Sequence, residues 1–216
     1  MSFLSYAAAV LLIFAFAGPA ISGSQPSQKQ EGAGAELALA QFTLDAPIAA
    51  GSDDAEESPS GTVATGQRAL ELVKVSDGLQ TVGLRFRGVT VPSGATITNA
   101  YVQFQARKSH SGATNLTIRG QASDNAATFT TAAFNISSRP RTTAAAQWSP
   151  SPWTLGEAGV NQRTSNLSAV LQEIVNRPGW SSGNALALII TGSGKRVAEA
   201  FEGARAPVLH IEFTTS

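Results

Sequence analysis

The chain has 216 residues, 15 basic and 15 acidic side chains, a formal net charge of zero, no cysteine and two histidines. Zero net charge excludes the broad basic face that nucleic acid demands, and it argues against electrostatic docking on anionic lipid. Without cysteine there is no disulfide framework, thiolate metal site or thiol nucleophile, so the fold rests on its core, or on its core and a metal.

Residues 1–22 open with an apolar run from Phe3 to Ala17, broken by Gly18 and Pro19 and followed by small residues at Ala20 and Ser22. The run is short for a bilayer span, which takes about 20 residues. It predicts an export signal cut near Ser22, with an uncleaved anchor as the alternative. Residues 23–45 are small and polar and predict a flexible leader, which leaves 46–216 as one domain. From there the apolar residues recur with period two. Val82, Leu84 and Phe86 share a face, as do Ala100, Val102, Phe104 and Ala106; Leu116 and Ile118; and Leu209, Ile211 and Phe213. Such alternation marks strands with one face in a core and one in water. The all-apolar ALALII at 185–190 predicts a central strand covered on both sides. Gly, Pro, Asn and Ser clusters punctuate these runs. One segment has helical spacing instead: Leu167, Val170, Leu171, Ile174 and Val175. Ser165 or Asn166 caps it, Glu173 and Arg177 stand one turn apart, and Pro178–Gly179 stops it. The expected fold is all-β, a two-sheet jelly-roll sandwich with one short amphipathic helix.

The stretches LQTVGLRFRGVTVPSGATITNAYVQFQA, NLSAVLQEIVNRPGWSSGNALALIITG and KRVAEAFEGARAPVLHIEF resemble, in order and spacing, the secreted bacterial jelly-roll modules of DNRLRE type, relatives of carbohydrate-binding modules. The SDDAEE run, SSRP and GKRVAE resemble extracellular bacterial domains that stand beside other domains, phosphoesterases among them. The resemblance covers residues 50–214 and implies a jelly-roll. It also implies that calcium ties the first strand to the last. Function it implies only weakly, since sandwiches host many tasks.

Three sets of residues are candidate sites. Asp53, Asp54, Glu56 and Glu57 crowd four carboxylates into GSDDAEESPSG. If they lie on a strand, Asp54 and Glu56 project to one side and Asp53 and Glu57 to the other. A calcium ion would then draw on two of them, on backbone carbonyls, and on Glu71 or Glu212. The alternative is a solvated cluster that protects a sheet edge. Trp148 and Trp153 flank the proline-stiffened WSPSPW loop and form a candidate sugar platform, with Tyr101 on the outward face of its strand. Trp180 is expected in the core. Arg139 and Arg141 form a loop pair able to clamp a carboxylate or sulfate.

Catalysis has little support: there is no nucleophile motif, and GSGK at 192–195 lacks the spacing of a phosphate loop. The expected function is therefore an exported, non-catalytic binding or adhesion module at the cell surface. Its partner would be a polysaccharide or cell-surface glycan and its cofactor Ca2+, with no nucleic acid and no membrane insertion after signal removal. A self-assembling homo-oligomeric subunit is the alternative, and a secreted polysaccharide-active enzyme the third reading.

Overall fold

The computed structural model describes residues 39–215. The expected signal segment and the expected leader up to residue 38 lie outside the described residues. Among the described residues no helix is long and apolar enough to cross a membrane.

The strands are β1 (Ala40–Pro47), β2 (Asp54–Glu57), β3 (Val63–Thr65), β4 (Ala69–Val75), β5 (Gly78–Leu79) and β6 (Thr81–Phe86). They continue with β7 (Thr96–Gln103), β8 (Asn115–Gln121), β9 (Arg141–Trp148), β10 (Leu186–Ser193), β11 (Lys195–Glu199) and β12 (Val208–Thr215). Among the described residues the single α-helix, α1, spans Ser168–Val175. One layer is a six-stranded antiparallel sheet in the order β3-β2-β6-β10-β8-β9. The other combines β1-β12-β7 with β11-β4-β5. The chain just past β7 joins these halves: the Arg107 N–H donates to the Val197 carbonyl at 2.8 Å, and the Glu199 N–H to that of Gln105 at 2.9 Å. The molecule is an all-β sandwich with one short helix, as the periodicity and the resemblance predict.

The period-two faces meet between the layers. Val82, Leu84 and Phe86 from β6, Leu188 and Ile190 from β10, Val102 from β7 and Leu209 and Ile211 from β12 are all fully buried in one cluster. Each such aliphatic side chain contributes about 1.5–3 kcal/mol by leaving water. The outer face of β10 is also covered, as its unbroken apolar run predicts. Ala187 and Ile189 pack with Ala126, Phe129 and Ile136 from the long β8–β9 loop. Gly83 makes this cover possible, because a Cβ there would lie 2.5 Å from the Phe129 ring.

The helix turns Val170, Leu171, Ile174 and Val175 inward and packs against β7, β8 and β9. Leu167, not Ser165 or Asn166, takes the N-cap position and offers no side-chain cap; Asn166, one residue earlier, accepts from the Ser168 N–H through Oδ1 at 2.8 Å. The expected Glu173–Arg177 pair is not made. Glu173 instead accepts from the Thr143 and Ala144 N–H groups of β9 at 2.8 Å each, and Arg177 pairs with Asp124 at 2.6 Å. Backbone amides already fixed on a strand bind the carboxylate without the side-chain entropy that an exposed Glu–Arg pair on one helix has to lose.

Two further expectations need correction. Residues 40–45, assigned to the leader, begin β1, which pairs along its full length with β12. Arg141, expected in a loop, opens β9, whose Ala-rich sequence hides its alternation.

Candidate functional site

The acidic run is neither a solvated cluster nor one cage. Strand alternation separates its side chains as expected, and different partners then hold each of them. Asp53, 1% exposed, lies between two guanidinium groups, with Arg85 at 2.6 Å and Arg87 at 2.8 Å. Glu57 accepts from the Ile136 and Ser137 N–H groups at 2.7 and 3.0 Å, anchoring the loop that covers β10. Glu56 accepts from the Glu71 N–H, while the Glu71 carboxylate pairs with Lys195 at 3.1 Å. Asp54, 2% exposed, accepts from the Phe201 N–H through Oδ2 at 2.7 Å, and its Oδ1 has no partner. Calcium takes six to eight oxygens. Asp53, Asp54, Glu56, Glu57 and Glu71 do not fit one such ion, because they point to opposite faces and four of the five are engaged elsewhere. Among the described residues no group of three or more His, Cys, Asp or Glu is gathered for a metal.

The tryptophan platform is likewise corrected. Trp148 and Trp153 are 6% and 2% exposed. Their rings pack on Phe104, with centroids 5.7 and 6.2 Å away. A backbone bridge between Trp153 and His110 folds the WSPSPW loop inward, and the Trp153 indole N–H donates to the Asn161 carbonyl at 2.9 Å. Large aromatic area is worth more in the core than on a rim. Trp180 is buried as expected, its N–H donating to the Val91 carbonyl at 3.0 Å.

The arginine pair comes apart as well. Arg139 is 9% exposed and gives its donors to the carbonyls of Asn135, Ala127 and Thr128 and to the Gln121 and Asn135 side chains. Its guanidinium lies 4.2 Å over the Phe129 ring. It secures the β8–β9 loop and has nothing left for a ligand.

Tyr101 is the one sugar-site candidate on an open surface. It lines a cleft of about 480 Å³ on the outer face of β1-β12-β7, together with Asp45, Gln103, Arg163, Arg205 and His210. The register makes this site: Asp45 on β1 lies opposite His210 on β12, which lies opposite Tyr101 on β7. The His210 and Tyr101 rings stack at 4.6 Å and 22°. Arg163, brought alongside by its backbone bridge to Gln103, sits 4.5 Å over the Tyr101 ring, and its Nε–H donates to Gln103 Oε1 at 2.8 Å. Asp45 Oδ1 is 2.7 Å from His210 Nδ1, and Glu212 Oε1 is 3.4 Å from Nε2. Hydrogen bonds from the Asn99 amide and from His210 hold the Glu212 carboxyl below its usual range. The result is a row of planar polar groups whose orientations are fixed by one another, with guanidinium donors at one end and a carboxylate at the other.

Sequence reasoning placed Tyr101 outward but did not join it to His210. Asp45 and Arg205 were missed, and Arg163 was not joined to Tyr101, because cross-strand register and the path of the β9–α1 connection are not written in local periodicity. No family model and no curated protein matches the chain.

Proposed function

We propose that this protein is an exported, non-catalytic glycan-binding module whose ligand surface is the cleft on the outer face of β1-β12-β7. The observation that carries the reading is the prearranged row Asp45–His210–Tyr101–Arg163. Sugars offer many hydroxyls and few charges. A protein surface recognises them with planar side chains whose donors and acceptors are fixed before binding, so that little rotamer entropy is lost. The resemblance to carbohydrate-binding relatives points the same way. Arg163 and Arg205, both lining the cleft, favour a sugar that bears a carboxylate or sulfate.

Native electrophoresis through gels containing pectate, alginate, xylan or β-glucan tests this reading. Wild type should be retarded in at least one gel, and Tyr101→Ala should lose about tenfold in affinity, or roughly 1.4 kcal/mol. Trp153→Phe should bind as wild type does. Equal retardation of wild type and Tyr101→Ala would remove the cleft from the account.

A polysaccharide-active enzyme is the second reading, and the His210–Asp45 pair beside Tyr101 favours it, since a carboxylate-oriented imidazole next to a phenol is a general-base arrangement. Release of unsaturated or reducing sugar ends that His210→Ala abolishes would establish it over the non-catalytic one.

A further inference from the structure

We propose that Asp54 and Glu202 hold one hard divalent cation, of the calcium class, where the β11–β12 turn closes over the start of β2. The resemblance implies calcium, and the acidic run as a whole does not fit it. The charge accounting of that run leaves one place that does. Asp53 is neutralised by two arginines, Glu56 and Glu57 are held by backbone amides, and Glu71 is neutralised by Lys195. Asp54 is the exception: its side chain is almost completely buried and Oδ1 has no donor. Glu202 Oε2 is likewise buried without a partner, whereas Asp53 Oδ2, which also lacks an aligned hydrogen bond, has the Arg87 guanidinium 2.8 Å away to balance its charge. Glu202 directly follows Phe201, whose N–H is bonded to Asp54 Oδ2, and its charge is among those that raise the Asp54 carboxyl. A buried, unpaired carboxylate is costly, and two that repel each other cost more. A dication balances their combined charge of minus two.

The surrounding backbone holds Glu202 in place. The Phe201 N–H donates to Asp54 Oδ2 at 2.7 Å, so the residue beside Glu202 is tied directly to β2. The Gly66 N–H donates to the Gly51 carbonyl at 2.9 Å, bringing the β1–β2 and β3–β4 turns together. Glu202 Oε1 lies against this pair: a Cβ on Gly51 would come within 1.8 Å of it. Three turns therefore converge on the two carboxylates. Both side chains offer oxygen only, the donor type that suits a hard cation such as calcium, and water and loop carbonyls would have to supply the remaining ligands. The ion would clip the turn before β12 to the first strand of the six-stranded sheet. That role is independent of the sugar cleft.

The test is thermal melting and calorimetric titration of the mature protein with CaCl2 after EDTA treatment and dialysis at pH 7.5. The proposal expects one ion per chain and a melting temperature higher by about 5–10 °C at saturating calcium. Asp54→Asn and Glu202→Gln should each abolish the increment. Gly51→Ala, which leaves every charge in place, should reduce it by pushing Glu202 aside. No heat of binding and no calcium-dependent melt in the wild type would overturn the proposal, leaving a shared proton between the two acids. Undiminished calcium stabilisation in both charge variants would overturn the assignment of the site. If a variant fails to fold, the wild-type stoichiometry and Gly51→Ala still decide.

Discussion

In excess chelator the melting temperature falls as the pH is raised from about 4.5 to about 7.5, and Asp54→Asn removes most of that fall. This is opposite to the behaviour of a protein held by ionised carboxylates. Burial raises the Asp54 carboxyl from its ordinary 3.8 to about 7; the Phe201 N–H pulls against this, and the Glu202 and Asp53 charges add to it. Burial likewise raises Glu56 from 4.5 to about 6, against the Glu71 N–H. Between the two limits the folded chain keeps protons that the unfolded chain has released. The unfolded state therefore binds fewer protons, and stability declines with pH until the folded carboxyls also ionise. For Asp54 the shift corresponds to a loss on the order of 4 kcal/mol across the window, since each pKa unit is worth about 1.4 kcal/mol. That amounts to roughly 10 °C in a domain of this size. The neutral amide of Asp54→Asn keeps an acceptor for the Phe201 N–H and carries no charge to desolvate, so the chelated variant should melt above chelated wild type at pH 7.5. Circular-dichroism melts across the pH range measure both effects, and a wild-type melting temperature that climbs with pH would contradict them.

Arg196→Met lowers stability by about 3–5 kcal/mol although it preserves most of the side-chain volume. Arg196 is 1% exposed. It donates to the carbonyls of Ser151, Gly112, Lys195 and Pro150 at 2.8–3.1 Å and to the Thr114 hydroxyl at 2.8 Å. No carboxylate faces it. The guanidinium is held by four backbone carbonyls and one hydroxyl, and burial lowers its pKa. These contacts tie β11 to the turn before β8 and to the loop after β9. Removing the donors strands several acceptors at once, and a lysine cannot replace the fork. Urea unfolding should show a lower midpoint at unchanged slope for Arg196→Met, and no rescue in Arg196→Lys. A midpoint within experimental error of wild type would mean that water reaches those carbonyls.

These two sites show what the sequence could and could not say. Period two is a property of the single strand, so β6, β7, β8 and β12 and their inward residues could be read directly, as could the two-sided burial of β10. Alternation also separated Asp53 and Glu57 from Asp54 and Glu56. What faces each acid depends on distant segments: Arg85, the Ile136 amide, the Phe201 amide and Glu202 are set beside the run only when the layers close. Trp148 and Trp153 misled for a related reason. Prolines in their loop suggested a stiff exposed platform, but the loop is stiffened in the direction of Phe104. The cleft needed β1, β12 and β7 in one register, and β1 lies in a segment whose composition reads as a leader.

The proposed ligand surface is most directly tested by amide chemical-shift mapping on 15N-labelled protein, titrated with oligosaccharides from whichever polysaccharide retards it. The shifts should cluster at residues 99–103, 158–163 and 205–212, and Tyr101→Ala should suppress them. Shifts confined to the six-stranded sheet or to residues 148–153 would place the ligand elsewhere and contradict the account.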